Sequence, residues 1–504
     1  MDISSAMSTF GFGHRNSTQV VIDHDGELWC AIAPTAAVGG LHTTASGLPG
    51  MLRIEPLVDG EYKPFTYTAT EALLEITAEN GTILKMAMDK EAQAIRFTGN
   101  AALRLNGVEN ILHSTITLKT QDGVVTTIGR GNRYLITAKK GTISVDDGWN
   151  YKIFTSVTPV LTVEPEAGEI ELFVFDLPAD RETPQMTKSF EACVTENSAD
   201  FQAFLGEIVD IPPEWKDVKE KIAYPIWLCH RMLNESSEVI VENKCYSAYS
   251  DATLMAIASM AFKDAKKAID MILAYPLEFP PVAGVAAARL IKENMLNDAR
   301  GDIFRVYASL ETFLRKCIKE RTVDREGLIA CMYRFENGID ELPAYFSVGE
   351  PVFTPDINAY LIVAGEVMGK LAHMEYDTGA GRKWEEYAKE LKAVFLAKLW
   401  DGEDFVGRNA YTGEASSPDS FLSLIPIILG SRLPSEIVSK LVTRIDEESA
   451  DSAVGLLLAG GLYDAGEESS AKEIAIEALN SARRESLECP FYGASLLALA
   501  HKVL

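Results

Sequence analysis

At 504 residues the chain is long enough for two or three domains with a large buried core. Its 47% hydrophobic and 24% charged residues are those of a globular protein, which excludes a disordered or low-complexity chain. With 73 acidic against 47 basic residues the net charge is −26, which excludes nucleic acid and anionic membranes as natural partners and speaks against a polyanionic substrate. Residues 1–19 show no basic region followed by an apolar run, so no signal peptide is expected. No stretch reaches the ~18 uncharged apolar residues of a membrane span. Seven scattered cysteines without a CxxC pair are expected to be reduced thiols of a cytoplasmic protein.

From about residue 18 to 185 the apolar residues alternate or run in short blocks, as in TILKMAMDKEAQAIRF and GEIELFVFDLP. Asp25-Gly26, Asp59-Gly60, Asn80-Gly81, Asn106-Gly107, Asp122-Gly123 and Asp147-Gly148 tolerate positive φ and are read as hairpin turns. The expectation is an N-terminal antiparallel β-sandwich over residues 1–190, then a linker over 191–211 that ends at Pro212-Pro213. From residue 212 to 504 the period becomes helical, in segments such as INAYLIVAGEVMGKLAHM and KWEEYAKELKAVFLAKLW, several of them opened by Asp or Ser as a cap. Roughly twelve helices joined mostly by short loops predict antiparallel hairpins in a bundle or ring. The longer loops, at 334–355, 400–418 and 484–492, are where function is expected.

The first of these opens with Tyr333-Arg-Phe-Glu-Asn-Gly-Ile-Asp-Glu-Leu-Pro-Ala-Tyr345, which sets Glu336, Asp340 and Glu341 among Phe335, Ile339 and Leu342. A carboxyl crowded by other carboxylates and flanked by apolar residues is pushed toward its protonated form, and a general acid needs that form. ENGIDELP followed by TPDINAYLIVAGEVMGKLA resembles the acid motif of the toroid glycoside hydrolases of family 63 and family 37, the processing α-glucosidases, mannosylglycerate hydrolases and trehalases. Glu336, Gly338, Asp340, Pro343, Asp356, Asn358, Ala359, Tyr360 and Leu361 fall on that pattern. The resemblance implies an (α/α)6 helical toroid behind the sandwich, with Asp340 as general acid. The family's Arg after the proline is replaced by Ala344-Tyr345, and the aromatic before the acid by Ile339.

By the same resemblance the general base belongs near the C-terminus. Glu488, next to the turn Pro490-Phe491-Tyr492, is the expected base, with Glu485 as its alternative. Either Tyr249 or Asp251 takes the place of the relatives' sugar-binding Trp-Asp, and Asp251 also suits the role of helix cap. Tyr246, Phe335, Glu336, Tyr345, Asn358, Tyr411 and Tyr492 complete the expected substrate-binding set, in which aromatic faces pack against sugar C–H faces. The expected function is an inverting, exo-acting glycosidase that removes a terminal, α-glucosyl-type residue from a short oligosaccharide or glycoside, with no cofactor and no metal. A non-catalytic glycan-binding protein on the same scaffold is the alternative, as is a toroid polysaccharide lyase or sugar epimerase. An epimerase relies on paired histidines, whereas His230, His373 and His501 in the helical half each lie on an apolar stretch.

Overall fold

The computed structural model of the chain describes residues 2–6, 10–13, 19–22, 25–31, 52–79, 81, 83–92, 94–107, 115–120, 123–128, 132–157, 159–177, 186–228, 251–274, 276–296, 300–323, 327–333, 343–416, 421–445, 453–487 and 490–504. The chain divides into one unit of Met1–Gly206, Tyr224–Ile240 and Glu485–Leu487, and a second of Glu207–Ala223, Val241–Arg484 and Glu488–Leu504.

The first unit holds two large antiparallel sheets. One joins, in spatial order, strands Phe10–Gly13, Gln19–Ile22, Leu28–Ala31, Leu52–Val58, Ala102–Gly107, Val160–Glu164 and Thr142–Asp146, with Glu61–Tyr62 folded back on Leu52–Val58. The other runs Thr115–Lys119, Val124–Ile128, Asn132–Lys140, Ile170–Leu177, Ala94–Gly99, Ile83–Asp89, Leu74–Ala78 and Phe65–Ala69. Asp59-Gly60 makes the two-residue hairpin its sequence predicts, both residues at positive φ (52° and 77°) and Val58 paired with Glu61. Asn106-Gly107 does not turn. It ends strand Ala102–Gly107, where a Cβ on Gly107 would come within 2.5 Å of the Pro159 ring, so this glycine serves close packing.

Alternation fits strand Ala102–Gly107, where Leu103 and Leu105 are buried between half-exposed neighbours. Strand Ala94–Gly99 is different: Ala94, Ile95, Arg96 and Phe97 are all buried, so both of its faces are covered. Helix Phe190–Glu207, lying within the expected linker, supplies contacts here: Asn197 Nδ2 donates to the Met88 carbonyl (2.7 Å) and Ser198 Oγ to Glu71 (2.7 Å). The Arg96 guanidinium lies 4.8 Å over the Phe173 ring and donates to the Lys188 carbonyl (2.7 Å) and to Glu171 (2.6 Å). A buried charge paired in this way locks the helix entry to the sheet, and removing one partner leaves the other stranded.

The second unit is helical. Helix Pro355–Met374 is its centre: 16 of its 20 residues are buried, on every face. Small residues let its neighbours approach. A Cβ on Gly284, in helix Ala283–Lys292, would meet Ala364 Cβ at 2.6 Å, and one on Gly365 would meet Ala388 Cβ, in helix Thr378–Leu399, at 3.1 Å. Asp264 and Asp377 cap their helices, accepting from Lys267 N–H (2.7 Å) and Ala380 N–H (2.9 Å). Helices Ala453–Ala465 and Pro490–Val503 are tied by Asp464, which accepts from Lys502 Nζ (2.8 Å) and from Lys292 Nζ (2.5 Å). Burial alone would raise the Asp464 carboxyl, but the two ammonium groups outweigh it and hold the carboxyl below its ordinary value. Among the described residues no helix is long and apolar enough to cross a membrane.

Candidate active site

A small three-stranded sheet joins the described residues on either side of the segment 334–342, which contains Asp340. Its strands are Ala330–Cys331, Val352–Phe353 and Arg408–Asn409, with Val352–Phe353 in the middle and antiparallel to both others. The chain leaves this sheet after Cys331 and returns through the short helix Pro343–Phe346 and Glu350-Pro351 into Val352. The described residues that precede and follow 334–342 therefore lead from and into one small sheet.

Two asparagines hold that frame. Asn358, in the first turns of the central helix, is fully buried. Its Oδ1 accepts from Ile329 N–H (3.0 Å), and its Nδ2 donates to the carbonyls of Ile329 (2.9 Å) and Thr354 (2.9 Å). The amide thus pairs with the backbone at the entry to the loop as a neighbouring strand would. Asn409 does the same at the exit: its Nδ2 donates to the carbonyls of Val348 (3.0 Å) and Gly349 (3.1 Å), while its Oδ1 accepts from Tyr411 N–H and Thr412 N–H (both 2.9 Å). The Asn358 amide meets the demand that buried backbone groups find partners where no regular sheet can supply them, and the Asn409 amide ties a part-buried turn to the neighbouring chain.

Tyr345, on the short exit helix, is also fully buried. Burial, reinforced by the nearby Asp356 carboxylate, holds its phenol well above the ordinary value. Its ring packs against the backbone at Gly407, where a Cβ would lie 2.7 Å from Tyr345 Cδ1. The Ser416 hydroxyl closes the loop below by accepting from Gly407 N–H (3.0 Å). Arg408 is engaged locally, donating to the carbonyls of Lys398 and Gly413, and Asp404 pairs with Arg444.

Of the residues expected from sequence, Phe335, Glu336, Asp340, Tyr246, Tyr249 and Glu488 lie outside the described residues. Asp251 opens helix Asp251–Ser259, and its side chain is likewise outside them. The structure brings Tyr345, Asn358 and Tyr411 together around the small sheet: Tyr345 and Asn358 inside it and Tyr411 at its rim, exposed to solvent. Tyr492 is half-buried in the last helix. Glu485 is exposed and falls in the first unit. Tyr360 is buried, and Trp400 stands edge-on to Phe405 at 5.0 Å. Asn409 and Gly407 went unread in the sequence, although both lie in the 400–418 loop marked there. Their only signal is a Gly-Arg-Asn run without a helical or strand period. No group of three or more His, Cys, Asp or Glu among the described residues is arranged to hold a metal ion.

Residues 246–457, 212 of the 504, match the family described as the mannosylglycerate hydrolase MGH1-like glycoside hydrolase domain. No curated protein matches the chain. Among solved structures, a bacterial glucoamylase complexed with acarbose is similar over 100% of this chain and 95% of its own, at 10% identity and a TM-score of 0.62. A family GH92 alpha-mannosidase from Bacteroides thetaiotaomicron is similar over 98% of this chain and 79% of its own, at 10% identity and a TM-score of 0.54. The GH63 mannosylglycerate hydrolase from Thermus thermophilus covers 55% of this chain and 99% of its own, at 14% identity and a TM-score of 0.46. At such identities the first two likenesses are of fold, and the fold is the one read from the sequence, an antiparallel β-sandwich followed by an (α/α)6 toroid. The family match takes in both the ENGIDELP sequence and helix Pro355–Met374, so residues 246–457 are similar to the glycoside hydrolase domain described as mannosylglycerate hydrolase MGH1-like.

Proposed function

We propose that the protein is an inverting, exo-acting glycosidase that removes a terminal, α-glucosyl-type residue from a short oligosaccharide or glycoside. In this reading the catalytic machinery belongs to residues 212–504, behind a sandwich domain of residues 1–190 and a linker of 191–211. Asp340 is the general acid, delivering a proton to the glycosidic oxygen as the C–O bond breaks. Glu488, or Glu485 in its place, deprotonates the water that attacks the opposite face of the sugar. Inversion needs the two carboxyls ~6.5–9.5 Å apart, leaving room for that water. Glu336 and Glu341 beside Asp340 oppose its ionisation and keep it a proton donor near neutral pH. The remaining expected contacts, Tyr246, Tyr249, Asp251, Phe335, Tyr345, Asn358, Tyr411 and Tyr492, are assigned to the substrate pocket or its wall.

The observation that carries the reading is the frame flanking residues 334–342. The flanking chain held by Asn358 at Ile329 and by Asn409 at Val348 and Gly349, inside the segment similar to a hydrolase family, supports a positioned catalytic carboxyl between them. Asn358 contributes to the pocket wall through the backbone it holds. The family match favours a second substrate, mannosylglycerate. The buried free thiols of Cys193 and Cys317 support a reducing, cytoplasmic setting.

The test is incubation with α-glucosides, α-mannosides and mannosylglycerate, following the first-formed anomer by proton NMR. Release of a single monosaccharide as the inverted anomer is expected. Release of the retained anomer contradicts the two-carboxylate inverting assignment, and binding without release would favour a glycan-binding protein.

A further inference from the structure

In the first unit, strands Trp149–Asn150 and Thr155–Ser156 form a hairpin of their own, with Asn150 paired to Thr155. The residues between them, Tyr151-Lys152-Ile153-Phe154, are all exposed. Tyr151 shows 80%, Ile153 57% and Phe154 71% of its surface to solvent. Nowhere else among the described residues do three large exposed apolar side chains fall within four positions. Single exposed apolar residues need no explanation, but a contiguous group marks an interaction site.

The tip is held in one conformation. Phe154 N–H donates to the Asn150 carbonyl (2.9 Å), and Asn150 Oδ1 accepts from Lys152 N–H (2.9 Å). The Trp149 and Tyr151 rings stand edge to face, 6.4 Å apart and 83° between planes. At the base, the Ser156 hydroxyl accepts from Thr117 N–H (3.1 Å) and so ties the hairpin to strand Thr115–Lys119 of the large sheet. Phe154 sits at a φ of 53°. Glycine suits such a turn position, and a bulky side chain is strained there. Burial of the ring does not offset that strain, because the ring lies in solvent. Folding gives no reason for a phenylalanine at this position, and strained residues of this kind collect at binding sites.

We propose that the hairpin tip is a carbohydrate-binding site on the sandwich, where Trp149, Tyr151 and Phe154 offer aromatic faces to a neutral glycan chain. The choice of a glycan rests on the glycosidase reading above. Aromatic faces pack on the C–H faces of pyranose rings, while the Tyr151 phenol and the Lys152 ammonium meet hydroxyls. Charge decides against the other occupants of an exposed apolar tip. With a net charge of −26, the chain repels both an anionic lipid surface and a second copy of itself, whereas a neutral glycan meets no such opposition.

The test is native electrophoresis of the full chain through gels containing amylose or a neutral α-mannan, which reads affinity from retardation. The parent is expected to be retarded by at least one of the two. Tyr151→Ala and Phe154→Gly are each expected to weaken that affinity roughly 2- to 10-fold. Phe154→Gly relieves the strained φ, so its urea midpoint is expected to lie at or above the parent's. Turnover of maltose and mannosylglycerate is expected to stay at the parent's level in both variants. A parent that neither gel retards overturns the proposal, and so do variants retarded as strongly as the parent. A Phe154→Gly midpoint well below the parent's marks the ring as structural and also overturns it. An unretarded parent that sediments as a dimer, and as a monomer once Phe154→Gly is introduced, assigns the tip to a second copy instead. A parent that is retarded through Tyr151 and Phe154 but turns over no glycoside upholds the site and overturns the glycosidase reading.

Discussion

Replacing Asn358 with alanine probes the frame at its most buried point. The side chain is fully buried and makes three hydrogen bonds, two of them with the backbone of Ile329. Without the amide, the Ile329 N–H and carbonyl lose a partner in a place closed to water, at about 1–3 kcal/mol for each group left unsatisfied. The Thr354 carbonyl fares better, because the backbone N–H of Asn358 still reaches it at 3.5 Å. With some packing also lost, Asn358→Ala is expected to destabilise the helical unit by about 3–5 kcal/mol. Asn358→Asp keeps the shape but turns a carboxylate toward two carbonyls. Its folded-state pKa is therefore raised, so its deficit is greatest at neutral pH and shrinks as pH falls and protonation restores one donor. Urea unfolding followed by circular dichroism at 222 nm, which weights the helices, measures both. An Asn358→Ala protein within about 1 kcal/mol of the parent would refute the claim that this amide holds the loop entry.

Three further outcomes are expected. Asp464→Asn leaves Lys502 and Lys292 without their carboxylate and, with the site part-exposed, is expected to lower stability by about 1–3 kcal/mol. Because the Asp464 carboxyl is held below its ordinary value of 3.8, its contribution is present above that value and lost as pH falls through the lowered one, so parent and variant are expected to converge in urea titrations at acid pH. Gly284→Val drives a side chain into Ala364 and is expected to cost about 1–3 kcal/mol, whereas Gly206→Ala, where a Cβ meets nothing within 4 Å, is expected to gain roughly 0.5–1 kcal/mol; the two urea midpoints move in opposite directions. Gly407→Ala presses on the buried Tyr345 ring and is expected to reduce kcat/KM by about tenfold or more with the circular dichroism spectrum retained, since small displacements of a catalytic loop are costly.

Much of the fold was legible because its signals are local. Asp59-Gly60 turns as its chemistry permits, and INAYLIVAGEVMGKLA announces a helix whose small residues admit close neighbours. Asn106-Gly107 misled because the same dipeptide that permits a turn also permits the contact with Pro159, and only the tertiary partner distinguishes the two. The expected linker was read as a connection because its polar, scattered composition hides the few residues, Asn197 and Ser198, through which the helix there meets the sheet. At the candidate site the motif drew attention to Asn358 but not to what its amide does, because a hydrogen bond to a backbone 29 residues away leaves no spacing to read. Asn409, whose partner Val348 lies 61 residues earlier, is invisible for the same reason.

The account stands on Asp340 as the proton donor, and leaving-group dependence tests that most directly. Asp340→Asn removes the acid with almost no change in shape. Turnover of the best disaccharide is expected to fall about 10²- to 10⁴-fold, the ordinary contribution of a general acid. Turnover of the matching glycosyl fluoride, whose leaving group departs with little need of a proton, is expected to fall far less. An Asp340→Asn protein that cleaves the disaccharide within about threefold of the parent rate would contradict the account, because a loss that small lies well below what removing a general acid costs.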